Sequence, residues 1–452
     1  MIIRKLLLSL TIIKQTLEHY LSQKAASYYI KIGGVMLRNR TLLAVSLVVC
    51  AAYTGIGMIG PVRVLYAQSR GASLAIIGTM SSAYLISNFL FQYPSGWLAD
   101  RFGRKPIMLI SLFAQAVLSL AYLFISDPIL FVVLRFAEGI AAAAVVPSAR
   151  ALVADSVPPE RRGQAYGIFG AFFNTGFLLG PALGGLLATT GYATSFIGAV
   201  VFRLLAVLIV ITMVHVRPRS EQSTTAQSQR IPLRSLFTIP LIAAYILVFG
   251  DWLYVGFDIT LMPIWMHDHL GASVAIIGFS YMAWSIPNVV LTPFTGRIAD
   301  RVRRSLLVLI FGLAQVPFYV IYGLANTFMI ILILFVVHGV VYAMVQPAVD
   351  AHLAASSGPE ARGRVQGMYY AFGLFGGFVG SNGLSLLYGL NFRLPLFATG
   401  VALGICVLIG APLMRISEDR GLVAGPGKQY EESRPRITGA LAEQVNIGYR
   451  ED

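Results

Sequence analysis

The chain has 452 residues, 57% of them hydrophobic and only 12% charged, about half the charged share of a soluble protein. Its mean hydropathy of +0.74 leaves too little polar side chain to cover water-soluble domains of this size and excludes a disordered chain and a disulfide scaffold. The net charge is +14, but the 34 Lys and Arg fall in short clusters between apolar runs, a distribution suited to membrane topology rather than to nucleic acid.

In chain order, residues 1–40 come first. MIIRKLLLSLTIIKQ has the charged start and short apolar core of a signal peptide without a clear cleavage site, or of an interfacial amphipathic helix. A start at Met36 is the third reading. Crossing about 30 Å of hydrocarbon takes roughly 20 apolar residues. Twelve stretches qualify, at 41–66, 74–98, 105–126, 129–156, 162–188 and 194–215, then 237–264, 273–298, 304–325, 328–356, 362–388 and 394–415. They are apolar on all sides, unlike the alternating strands of a barrel. Residues 416–452 form a charged tail.

Cations set the orientation. Arg101, Arg104 and Lys105 follow span two, Arg301, Arg303 and Arg304 follow span eight, and Arg161, Arg162, Arg362 and Arg364 follow spans four and ten. The linker 216–236 adds Arg217, Arg219, Arg230 and Arg234 around the polar stretch EQSTTAQSQ. The positive-inside rule therefore predicts a multi-pass protein of the cell inner (plasma) membrane, with both termini and the linker cytoplasmic. Cys50 and Cys406 lie in apolar runs, so neither a bridge nor a metal site is expected.

An internal repeat relates the halves. GASLAIIG begins at Gly71 and GASVAIIG at Gly271, an offset of 200 that holds through Asn88/Asn288, Gln115/Gln315, Gly139/Gly339, Pro147/Pro347 and Pro159/Pro359. Two parallel six-span repeats are the plan of transporters that rock two bundles about a central site.

Three motifs sharpen this plan. The turn after span two reads Gly96-Trp97-Leu98-Ala99-Asp100-Arg101-Phe102-Gly103-Arg104-Lys105. There Gly96 suits close helix approach, Asp100 a helix N-cap and Gly103 a sharp turn. Span four carries Arg135 and Glu138 on one helical face. Span five carries Gly176, Gly180 and Gly184 four residues apart, with Pro181 and Gly185, which gives a smooth face and a bend. These strings resemble the signatures of the major facilitator superfamily, and the third resembles that of its twelve-helix drug:proton antiporters. The likeness covers nearly all of residues 41–415.

The resemblance implies an all-α membrane protein of twelve transmembrane helices in two pseudo-symmetric six-helix bundles. It implies a gating latch of Gly96, Asp100, Arg101, Gly103, Arg104 and Lys105 with Asp155 as acidic partner. The second copy, Asp300-Arg301, has Arg303 for the glycine and Ala355 for the acid, so that half-latch is expected either to be looser or to use Asp350 instead. It also implies proton coupling at Arg135 and a leak-sealing bend at Gly176–Gly185. From the residues themselves, Glu138 is the first choice of proton carrier, Asp251 is suited to a second proton site or to a cationic substrate, Asp258 to proton binding or to contact with external water, and Arg203 is an unexplained cation. Asn88, Asn288, Trp252, Tyr254, Tyr342 and His338 are candidates for a substrate cavity, and Phe91, Tyr93, Tyr281, Trp284, Tyr369 and Tyr370 supply further aromatic surface.

The expected function is export of drug-like or amphiphilic molecules in exchange for protons. A proton-coupled symporter or facilitator for sugars or organic acids is the alternative. The sequence holds no HExxH and no GxxxxGK[ST] motif. The expectation is accordingly a monomer that is not an enzyme, has no cofactor, and meets small molecules, protons and lipid.

Overall fold

The computed structural model of the chain describes residues 39–158, 161–214, 233–357 and 362–423. The N-terminal extension with Met36, most of the linker, the tail beyond 423 and the repeat residues Pro159, Glu160, Pro359 and Glu360 lie outside these. All regular secondary structure among the described residues is helical, and eleven helices are long and apolar enough to cross a membrane. The remaining span, Arg362–Leu390, is one continuous helix diluted by glycines and by Ser381, Asn382 and Ser385. The architecture is that of two six-helix bundles.

Local chemistry explains where the spans start and break. In the GAS repeat, Gly71 and Gly271 adopt positive φ (85° and 63°), the left-handed turn that ends a helix and favours glycine. Ser73 and Ser273 then cap the next helix, their hydroxyls accepting from the Ile76 and Ile276 amides at 3.3 and 3.4 Å. Span four divides into Pro128–Ala142 and Val145–Ser156 just ahead of Pro147, which has no amide to offer the carbonyl one turn back, whereas its repeat counterpart Pro347 sits within the continuous helix Phe328–Ala355. Span seven, read from the sequence as one run to 264, ends at Asp258, and a separate helix Met262–Leu270 follows. Pro263 starts that second helix.

Span three is inside out relative to a soluble helix. Ile110, Phe113, Val117, Leu120 and Phe124 recur every three or four residues on its exposed face, while Ser111, Gln115, Ser119 and Tyr122 are buried. Lipid leaves apolar side chains at ease outside and makes the interior the place for hydrogen-bonding groups.

The chain divides into two compact units, one comprising residues up to Arg63 with Ser87–Thr225, the other Val64–Ile86 with Ala226–Asp452. In the first unit, Val45, Val48, Val49, Met108, Leu112, Leu152, Phe169 and Val210 form a buried apolar core. In the second, Ser82 and Ser381 hydroxyls meet at 2.8 Å and Gln68 Nε2 donates to Asp268 Oδ2 at 2.8 Å.

Span five packs on span one backbone to backbone. A Cβ at Gly176 would stand 2.7 Å from the Cys50 carbonyl, one at Gly180 2.7 Å from the Thr54 carbonyl, and one at Gly184 would overlap the Met58 carbonyl. Gly184→Val is thus expected to destabilise the first unit by roughly 3 kcal/mol, read as a lower thermal midpoint in detergent. Gly60→Ala, where a Cβ meets nothing within 4 Å, is expected to leave that midpoint in place. The same seam recurs in the second unit, where Gly376 and Gly380 face the Phe249 and Leu253 carbonyls. Close glycine packing is therefore a property of both repeats, and what distinguishes span five is Pro181, which Ser381 replaces.

Candidate functional site

The first unit buries a charge cluster. Glu138 Oε2 lies 3.0 Å from Arg135 Nη1 and 3.4 Å from Arg63 Nη1, and it accepts from the Tyr122 hydroxyl at 3.3 Å. The Arg63 guanidinium stands 5.6 Å from the centre of the Tyr122 ring. Arg203 donates to the Ser119 hydroxyl. Ser119 lies three residues before Tyr122 on the same span, so this buried cation stands beside the Tyr122–Glu138 contact. Sequence reasoning singled out Arg135 and Glu138 and missed Arg63, although it is the lone cation inside GPVRVLYA. The signal lies in the residue itself, because a guanidinium within an apolar run needs an acceptor or counter-charge inside the protein.

The repeat reuses this scaffold with different chemistry. Tyr322 and His338 stand where Tyr122 and Glu138 stand in the first half, and the Tyr322 hydroxyl lies 3.0 Å from His338 Nδ1. Gln315 Oε1 is 3.3 Å from His338 Nε2, and Phe318 stacks on the imidazole with ring centres 5.0 Å apart. His338 is fully buried, with both ring nitrogens occupied by hydrogen-bond partners, so it is fixed inside the second unit.

The carboxylates of span seven have neutral partners. Asp251 Oδ2 accepts from the Tyr342 hydroxyl at 3.2 Å, and Asp258 Oδ1 accepts from the Tyr254 hydroxyl at 3.3 Å while its backbone carbonyl accepts from Tyr281 at 2.9 Å. Neither forms an ion pair among the described residues. From Asp251 a polar ladder runs along span ten, since Tyr342 also lies 3.5 Å from Gln346 Oε1 and Gln346 Nε2 donates to Asp350 Oδ1 at 3.2 Å. Asp350 is exposed. The spacing of 342, 346 and 350 keeps all three on one helical face.

The other cavity candidates are tied to their neighbours. Asn88 Nδ2 donates to the Gly139 carbonyl at 3.4 Å and Asn288 Nδ2 to the Trp284 carbonyl one turn back at 3.5 Å. Trp252 covers Gly373, and Trp284 stacks at a tilt on Tyr342, 5.2 Å between centres. Tyr93 is largely exposed. Tyr369 and Tyr370 meet edge to face, 6.2 Å apart.

At the turn after span two the structure pairs Arg104 with Asp155. Lys105 Nζ donates to the Ile211 and Val214 carbonyls at 3.1 and 2.8 Å, placing a cation at the negative end of span six. Arg101 lies over Trp97, 5.3 Å from its ring. Gly103, at φ 94°, makes the turn. Two expectations about this motif fail. Asp100 caps no helix among the described residues: it lies exposed within the helix Leu74–Phe102, and the cap position of the next helix is Gly103 with no side-chain bond. A Cβ at Gly96 would meet nothing within 4 Å, so no close approach depends on it.

The second copy departs further. Asp350, the expected substitute acid, accepts from Gln346, and Arg303 instead pairs with Asp419 at 3.1 Å. Glu418 caps the ninth span, accepting from the Ser305 amide at 3.1 Å and its hydroxyl at 2.6 Å. The acids thus come from the end of span twelve, because a cap needs an acceptor at the helix start rather than at the foot of span ten. The side chain of Asp300 lies outside the described set. Because Arg303 and Asp419 are about half exposed, Asp419→Asn is expected to lower stability by less than about 1 kcal/mol. Glu418→Gln, which touches the buried cap, is expected to lower the thermal midpoint further.

Comparison with known proteins places this geometry. The sequence model of the Major Facilitator Superfamily matches residues 45–262 and 253–442. Quinolone resistance protein NorA of Staphylococcus aureus (strain COL) is 24% identical over 383 residues, covering 82% of this chain and 96% of that protein. Multidrug resistance protein 1 of Bacillus subtilis (strain 168) is 26% identical over 387 residues with the same coverage. Among solved structures, a bacterial homolog of the human lysosomal transporter Spinster superposes with a TM-score of 0.66 at 16% identity, covering 85% of this chain and 98% of that one. A D-xylose-proton symporter superposes with a TM-score of 0.66 at 17% identity, covering 86% and 98%. With its duplicated six-helix bundles and a family match across nearly all twelve spans, the chain belongs to the major facilitator superfamily of membrane transporters.

Proposed function

We propose that this transporter exports drug-like or amphiphilic molecules across the plasma membrane in exchange for protons, as a monomer with both termini in the cytoplasm. The observation that carries the reading is Asp251. It is a carboxylate inside a membrane span whose hydrogen-bond partner is a phenol rather than a cation, joined by Tyr342 and Gln346 to the exposed Asp350. A carboxyl group so placed can take up and release a proton without leaving a buried cation unneutralised. Glu138, between two guanidiniums, cannot. Asp251 is therefore the main proton carrier in this reading, Asp258 a second, and Arg135 with Glu138 holds the first unit's cluster. The names of the two bacterial relatives support drug efflux, and the Gly176–Gly185 string supports exchange. The Arg104–Asp155 pair is the latch that opens and closes as the cavity changes sides.

Proteoliposomes with an acidic interior test it. A quinolone or ethidium added outside is expected to be taken up while protons leave, giving alkalinisation of the lumen that depends on cargo. Cargo entering together with protons from an acidic exterior would instead establish symport and defeat the exchange reading.

A further inference from the structure

We infer that the first unit holds an anion-binding site, built by Arg63, Arg135 and Arg203 around Glu138, which takes a halide ion or the carboxylate of an anionic cargo. The argument starts from charge. These three arginines are 5%, 8% and 2% exposed and Glu138 is 3% exposed. Guanidinium groups keep their proton in proteins, so the cluster sets three fixed positive charges around the one carboxylate of Glu138. Among the described residues of the first half, the other acids, Asp100, Asp127 and Asp155, are exposed near helix ends.

Neutral groups soften the excess without cancelling it. The Tyr122 ring presents its face to Arg63, and Ser119 accepts from Arg203. The Nε of Arg63 is buried and donates no hydrogen bond among the described residues, and Glu138 Oε1 likewise accepts none. A buried guanidinium with a donor to spare is well suited to gripping a carboxylate or a halide.

The repeat serves as an internal control. Two hundred residues on, the positions of Arg63, Arg135, Arg203 and Glu138 are occupied by Pro263, Phe335, Leu403 and His338, and the second unit keeps the same Tyr–residue 338 contact. The bundle therefore folds without these cations, so the architecture alone does not explain their burial in one half. Ligand chemistry does. Conversely, Asp251 and Asp258 correspond in the repeat to Ala51 and Met58 of the first half. Cationic and acidic chemistry have been segregated between two copies of one scaffold.

This inference is independent of proton exchange, because it is tested by equilibrium binding with no gradient. The full-length protein, purified in detergent with isethionate as the only salt anion, is titrated with chloride and separately with benzoate at constant ionic strength. The thermal midpoint and the retention of radiolabelled chloride are followed. A saturable rise with chloride that isethionate does not give supports the site. Displacement of labelled chloride by benzoate identifies cargo carboxylate as a second source of the same chemistry, and chloride binding that benzoate does not displace identifies the free halide as the ligand. Arg63→Gln is expected to weaken binding about tenfold, the loss of one charge-assisted hydrogen bond, whereas Arg70→Gln in the exposed turn leaves it unchanged. Should Arg63→Gln not fold, Arg203→Gln and the wild-type retention assay carry the test. No saturable response to either anion, or equal responses in wild type and Arg63→Gln, would overturn the site.

Discussion

Asp251→Asn is expected to abolish accumulation driven by a pH gradient while leaving exchange of labelled for unlabelled cargo intact. Asparagine keeps the size of the side chain and an oxygen that accepts from Tyr342, whose hydroxyl lies 3.2 Å from the native carboxylate. Its amide cannot ionise, so the variant separates proton binding from shape. With one proton exchanged per cargo, each pH unit supports about a tenfold concentration ratio, and the variant should bring that ratio to one. Cargo counterflow needs alternating access alone and should continue. Tyr342→Phe removes the link from Asp251 to Gln346 and is expected to slow pH-driven transport without changing the final ratio, since a relay sets the rate of proton delivery and the gradient sets the end point. Should Asp251→Asn accumulate cargo as the wild type does, the proton travels by another group and the assignment fails.

The fold was legible because its information is redundant. The offset of 200 fixes two copies of a six-span unit, and Gly71 with Ser73 and Gly271 with Ser273 mark the same turn twice by the same backbone chemistry. Apolar length fixed the spans, and the polar inner face of span three shows why: lipid rather than water is the outer solvent. Where the reading failed, the outcome depended on long-range packing. Arg303 finds Asp419 rather than Asp350 through the meeting of helix ends 116 residues apart. Pro263 ended span seven early, a break that an apolar window cannot register.

The candidate site was half legible. Glu138, Asp251 and Asp258 stood out because charge within an apolar span is rare. The partners that decide their roles did not. Arg63 lies 75 positions before Glu138, and only the packing of span one against span four brings its guanidinium to that carboxylate. Tyr342 and Gln346 reached significance only through their distances to Asp251.

The same kind of substitution should act in opposite ways in the two halves. Glu138→Ala removes the carboxylate that Arg63 and Arg135 share and leaves three buried guanidiniums facing one another. Losing one partner of a buried charge cluster is expected to lower stability by about 3–5 kcal/mol, seen as a fall in thermal midpoint and in folded yield. Asp251→Ala removes a carboxylate that has no cationic partner among the described residues, so the midpoint should hold or rise. The repeat supplies the rescue: adding Arg63→Pro would disturb the helix, but Arg63→Gln in the Glu138→Ala background removes one of the orphaned charges and is expected to recover part of the loss. A double-mutant cycle over Arg63 and Glu138 then reads their coupling directly, expected at about 1–3 kcal/mol for groups in contact. Additivity within about 0.5 kcal/mol would show that the two do not interact and would dismantle the cluster as the first unit's electrostatic centre.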